Sequence, residues 1–232
     1  MNIHRIISAG FPLYRYDITR SPKGKWDKDY KSLIYYWPDA GPKNEIGAFF
    51  FFDTEYEAVE VGREVLCKKK DMIRDNNPKL SIWITNTVTH ENLYMLDLSK
   101  CKNVVDLYVT LWNEQIDIFR DDFYRFDSLN GSVPLSQIKE HVACLATHND
   151  ETKSSKLIEC KCEILNLYNC IDENNQLAYA CQGLTDFSNG IIFKDILEEK
   201  GFDGYIFQET DAKTFCLFNS HKLSLPKVSL IH

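Results

Sequence analysis

No apolar run approaches the roughly 18 residues that would suggest a membrane-spanning helix. The opening stretch, MNIHRIISAGFPLYRY, holds neither a long apolar segment nor a signal-cleavage pattern, so the expected location is the cytoplasm. Positive charge is also short. The 27 Lys and Arg stand against 34 Asp and Glu, a net charge of -7, which argues against broad affinity for nucleic acid or an anionic membrane. There is no internal repeat, no Walker loop, and no GxGxxG, HExxH or GxSxG sequence. The eight cysteines are too scattered along 232 residues for a disulfide scaffold. Cys160, Cys162, Cys170 and Cys181 have wide, unequal gaps that make a poor zinc quartet. Ile158, Cys160, Cys162 and Ile164 alternate with charged residues, which predicts a strand near 157–168 carrying its cysteines on one apolar face. The cysteines are therefore expected to be reduced, and no metal site is expected.

What is present is a large apolar and aromatic complement, 44% and 13% of residues, enough for a substantial core. Leu13 to Ile18 predicts a first strand with Tyr14, Tyr16 and Ile18 on one face and Leu13, Arg15 and Asp17 on the other. An arginine in such a strand reaches solvent, pairs with Asp17 at the surface, or meets an anion. Residues 20–45 are turn-rich and polar, and suit a long loop crossing a ligand cleft; Tyr35, Tyr36 and Trp37 there are either loop anchors or stacking groups. Residues 46–52 read as an apolar strand leading to a helix from Thr54 to Leu66, capped by Asp53 or Thr54. Strands follow at 81–88 and 93–98, and a helix at 104–119. Residues 121–134 read as a polar loop, 135–145 as a short helix, and HNDETKSSK after it as the most disorder-prone stretch. With no evident linker, one α+β domain with a polar insertion near 121–156 is the economical reading.

The end of the chain is the most informative part. Phe193, Ile196 and Leu197 have helical spacing, with Ser188 or Asn189 able to cap the helix and Gly201 placed to stop it. Asp203-Gly204 reads as a tight turn with Gly at positive φ. Strands at 205–208 and 214–218 then flank an acidic turn that begins at Glu209. Helix, Gly stop, GFDG, strand, acidic turn, strand and NSHKL together resemble the end of the ADP-ribosyltransferase-like fold. The resemblance extends most to small bacterial and phage NAD-consuming domains, including RES-type toxins. It implies a single domain with a split, mostly antiparallel β core and flanking helices.

The resemblance also implies a chemistry. NAD would be the substrate, losing nicotinamide through an oxocarbenium-like state to a macromolecular acceptor, to water or to phosphate. An antitoxin or immunity partner is implied as well. Arg15 stands where the family's first strand presents an arginine or histidine to NAD, and a guanidinium fork suits a diphosphate. Glu209 would supply the catalytic carboxylate. Tyr35, Tyr36 or Phe50 would pack on nicotinamide, and Thr54 stands at the start of the helix beneath NAD. The family commonly has a Tyr or a Ser-Thr-Ser pattern near there, whereas this chain has Phe49 to Phe52. Many relatives place a glutamate immediately before the last core strand, where this chain has Thr214. The alternative reading is a binding or inhibitory module that keeps the fold without catalysis.

Overall fold

In the computed structural model, residues 3–19, 26, 46–69, 81–127, 131–147, 155–185, 187–209 and 212–231 are described. They gather into two compact units, one of His4–Met95, Phe202–Ile206 and Ala212–His232, the other of Met1–Ile3, Leu96–Gly201 and Phe207–Asp211. The architecture is α+β.

The first unit is built on strands. Those of the larger sheet are β1 (His4–Ile7), β3 (Phe49–Phe51), β5 (Leu93–Asp97), β8 (Gly204–Gln208) and β9 (Lys213–Leu217), in the order β1-β5-β8-β9-β3. A three-stranded sheet holds β2 (Pro12–Thr19), β4 (Ser81–Val88) and β10 (Lys227–Leu230), with β4 central. The β2–β4, β10–β4 and β3–β9 pairs are antiparallel. Tyr14 joins the sheets, trading backbone hydrogen bonds with Phe52 at 2.9 and 2.6 Å. Alternation puts Phe49, Phe51, Phe215 and Leu217 into one core with Leu13, Leu93, Met95 and Ile206. A second core forms where Ile18, Ile82, Ile84 and Phe52 meet Ala58 of helix α1 (Glu55–Lys69). Tyr14 and Tyr16 pack against this second core, as the two-residue period of β2 predicts.

The second unit is mostly helical, with α2 (Val104–Asn113), α3 (Lys139–Thr147), α4 (Ser155–Asn166), α5 (Gln176–Thr185) and α6 (Phe187–Glu199). A hairpin of β6 (Tyr124–Asp127) and β7 (Gly131–Pro134) accompanies them. Helix α2 begins at Asn103, whose Oδ1 accepts from Asp106 N at 2.9 Å, and ends at Asn113, short of the expected 119. Gln115 at φ 55° breaks the helical path, and Ile116, Ile118 and Phe119 are buried in the irregular chain after it, where Ile118 N donates to Ile116 O at 2.9 Å.

Several expectations need correction. Residues 155–166 form helix α4, not a strand. Leu157, Cys160 and Ile164 recur at helical spacing, and Cys160 and Ile164 are buried while Ile158 and Cys162 are exposed. The expected loop 121–134 contains the β6–β7 hairpin, and the β3 ladder is shorter than 46–52. Asn189 does not cap the last helix but lies inside α6. Strands β1 and β10 and helix α5 have no counterpart in the sequence reading. Gly201, at φ 82°, does end α6, with its N–H on Glu198 O at 2.9 Å. Gly204 is not among the positive-φ glycines; it is needed because a Cβ there would lie 1.9 Å from Cys216 O. The expected loop 20–45 and the HNDETKSSK stretch fall mainly outside the described residues.

Candidate functional site

On β2, Arg15 and Asp17 share the face opposite Tyr14 and Tyr16. Arg15 pairs across the sheet with Thr85, and Asp17 with Trp83. Arg15 Nη2 donates to Asp17 Oδ1 at 2.7 Å, and Thr85 Oγ1 donates to Asp17 Oδ2 at 3.3 Å. The Asp17 side chain is 6% exposed and that of Arg15 21%. The pair foreseen as a surface contact is thus largely withdrawn from water. Taking a carboxylate out of water is costly unless it is paired and hydrogen-bonded, and Asp17 is both. The consequence for Arg15 is orientation, since one nitrogen is pinned and the planar guanidinium can turn little.

Beside this cluster, further side chains fix the first unit. Thr87 Oγ1 donates to Ser224 O at 2.9 Å, and Val88 N donates to Ser224 Oγ at 3.0 Å. Trp26 Nε1 also donates to Ser224 O, at 2.9 Å, with its ring edge-on to Phe49 and Phe51.

The remaining sequence-predicted residues fall as follows. Phe50 lies on the face of β3 opposite Phe49 and Phe51 and is 36% exposed. Thr54 caps α1 with its side chain: its Oγ1 accepts from Glu57 N at 3.1 Å and donates to Glu57 Oε2 at 2.8 Å. Burial holds the Glu57 carboxyl above its ordinary value, against the Thr54 hydrogen bond, with nearby Asp53 adding to the rise. The Thr54 hydroxyl is thereby committed to the helix. Glu209 follows the last residue of β8 and is half-buried; its carbonyl accepts from Gln208 Nε2 at 2.9 Å. Arg15, Phe50 and Thr54 belong to the first unit, whereas Glu209 belongs to the second. Tyr35 and Tyr36 lie outside the described residues.

Sequence reasoning missed several polar contacts. Asp203 accepts from Tyr94 N at 2.8 Å and pairs with Lys222 Nζ at 2.7 Å, so Asp203 of GFDG is tied to Lys222 of NSHKL. Tyr94 stacks on Phe202 at 4.6 Å, and its hydroxyl meets His4 Nδ1 at 2.6 Å. In the second unit the hydroxyls of Tyr108 and Tyr168 meet in a buried pair, and Arg125 stands 5.2 Å over the Tyr168 ring. Burial drives both phenols upward in pKa, against the pull of Arg125. The partners in these sets are far apart in sequence, and no local spacing announces them. Among the described residues, no group of His, Cys, Asp and Glu is arranged to hold a metal ion, and no helix is long and apolar enough to cross a membrane.

No family model and no curated protein matches the chain. Among solved structures, the crystal structure of the M. tuberculosis MbcT-MbcA toxin-antitoxin complex has a chain similar over 97% of this chain and 86% of that one. The identity is 10% and the TM-score 0.38.

Proposed function

We propose that the chain consumes NAD by ADP-ribosyltransferase-like chemistry, releasing nicotinamide and passing ADP-ribose to a macromolecule, to water or to phosphate. The observation that supports this reading is the orientation of Arg15 by the buried Asp17 carboxylate on β2. A fixed guanidinium next to a satisfied carboxylate is suited to a polyanion such as a diphosphate, which can accept two parallel hydrogen bonds. The order of elements at the end of the chain supports it too, through the resemblance it carries. In this reading Arg15 holds the diphosphate and Glu209 stabilises positive charge developing on the ribose as the glycosidic bond breaks. Phe50 offers an exposed ring for nicotinamide. An antitoxin-type partner belongs to the same proposal.

The test is incubation with NAD labelled in both its nicotinamide and adenylate halves, with and without cell extract as acceptor. Free nicotinamide is the expected product. Glu209→Gln should lower kcat by about a hundredfold with little change in KM, as for loss of a transition-state electrostatic contact. Arg15→Lys keeps a charge for Asp17 but loses the fork, and should raise KM about tenfold. Glu60→Gln, at an exposed pair with Arg63, serves as the control and should leave turnover unchanged. Tight NAD binding without nicotinamide release under any condition would replace the enzyme by a binding module.

A further inference from the structure

The three-stranded sheet has two unlike faces. Ile18, Ile82 and Ile84 carry one of them into the core shared with Ala58 of α1, where Tyr14 and Tyr16 also pack. The two-residue period sends Leu13, Arg15 and Asp17 of β2 to the other face, and the register sets Thr87, Thr85 and Trp83 of β4 directly opposite them. Strand β10 extends these rows, with Val228 beside Thr85 and Leu230 beside Trp83. At one end of this face Leu13 is fully buried with Phe49 and Phe51, and Thr87 is bonded to Ser224 O. Towards the other end the cover thins, and Arg15, Trp83, Val228 and Leu230 are all half-buried. Trp83 therefore stands across from Asp17 and on the diagonal from Arg15. In an antiparallel pair, opposite Cβ atoms are about 4.5–5.5 Å apart and diagonal neighbours about 7–8 Å, within reach of an aromatic and a long side chain.

We propose that Trp83 is the base-stacking residue of a nucleotide site on this sheet face, taking the adenine ring while Arg15 takes the diphosphate. The assignment rests on the NAD reading and adds the adenylate half of the ligand to it. Phe50, the exposed ring offered to nicotinamide, is on a strand of the other sheet. On Arg15's own face, Trp83 is the aromatic residue among the paired positions of β2, β4 and β10. An indole presents a broad π surface that stacks on a purine whatever its hydrogen-bonding edge, and a guanidinium fork matches phosphate oxygens. One diagonal step separates the two groups, about the span of the ribose that joins a base to its phosphates. The aliphatic Val228 and Leu230 border the indole on β10 and keep water from that side of the stack. Arg15 is held on this face by Asp17, whose second oxygen accepts from Thr85.

The experiment titrates the full chain with ADP and with inorganic pyrophosphate, followed by calorimetry. Trp83→Leu should weaken ADP about tenfold or more, as loss of a base–aromatic stack does, and leave pyrophosphate within about twofold. Arg15→Lys should weaken both ligands, because both use the fork. Trp83→Phe keeps a ring, so it should bind ADP within about threefold of the parent but lose the quenching of indole emission that ADP causes in the wild type. A wild-type chain that does not bind ADP at millimolar concentration would overturn the proposal. So would a Trp83→Leu variant that weakens both ligands alike or neither, the result expected of a tryptophan that serves packing only. Where the leucine variant fails to fold, quenching that persists in Trp83→Phe would place the base elsewhere. Nicotinamide release from NAD is scored separately. The expected ADP–pyrophosphate split without any release would leave this site standing and remove the NAD chemistry.

Discussion

Asn189 has no exposed surface, and its carboxamide serves three backbone groups at once. Its Oδ1 accepts from Tyr124 N at 3.2 Å, while its Nδ2 donates to Tyr124 O and to Gly183 O, the latter at 2.7 Å. One side chain thus ties the edge of β6 and the end of α5 to α6. Only a carboxamide carries an acceptor and two donors in that fork. Asn189→Ala should cost roughly 3 kcal/mol, since each stranded buried backbone group loses a partner it cannot replace with water. Asn189→Asp should do no better, because a carboxylate cannot donate to the two carbonyls. Urea denaturation of both variants checks this, and an alanine variant within experimental error of the parent would show that water reaches these groups. Arg15 and Asp17 teach the complementary lesson, that a pair two residues apart on one strand can be recognised locally while its burial cannot.

At the scale of elements, β8 and β9 approach one another so closely at Gly204 that side-chain volume decides the fit. A Cβ at residue 204 would stand 1.9 Å from Cys216 O and 3.0 Å from Met95 Cε. The first of these is backbone, which cannot swing aside as a side-chain tip could. Gly204→Ala should therefore destabilise the protein by about 3 kcal/mol or more, as overpacking in a tight core does. A thermal melt of the variant is the measurement, and an unchanged midpoint would mean the sheet can open there without cost. Helix α4 shows the opposite situation, in which the local pattern fits two periods. Ile158, Cys160, Cys162 and Ile164 satisfy a strand, while Leu157, Cys160 and Ile164 satisfy a helix. The packing of α3 and α2 against one side of this segment selects the helix.

For the molecule as a whole, the buried titrating groups fix how stability responds to alkali. The Cys101 thiol is lifted from 9.0 to about 12, chiefly by burial, and Cys181, Tyr108 and Tyr168 are raised in the same direction for the same reason. Each is neutral when protonated, so the unfolded chain releases these protons at lower pH than the folded one. The folded state then binds more protons, and stability falls as pH rises. The contribution is fully present below about pH 9 and is lost progressively towards about pH 12. Urea midpoints measured from pH 8 to 11 should decline with an unchanged m value. A flat profile would show these thiols and phenols ionising within the folded protein.

The sequence by itself determined much of the local order: the alternation of β2, the capped start of α1, the Gly201 stop and the strand–turn–strand at the end of the chain. Each rests on a signal of a few adjacent residues, namely a two-residue period, an Asp-Thr pair able to cap, a glycine past the last helical turn, or an acidic turn between β-prone runs. It also marked Arg15 and Asp17 as neighbours on one face. Only the tertiary structure decided that Asp17 would be buried with Thr85 behind it, that the Thr54 hydroxyl would be spent on its own helix, and that Asp203 would meet Lys222. It alone decided that Gly204 is required by close strand approach rather than by positive φ. These outcomes depend on which distant segments pack together, and a one-dimensional pattern holds the chemistry of each partner but not the contact between them.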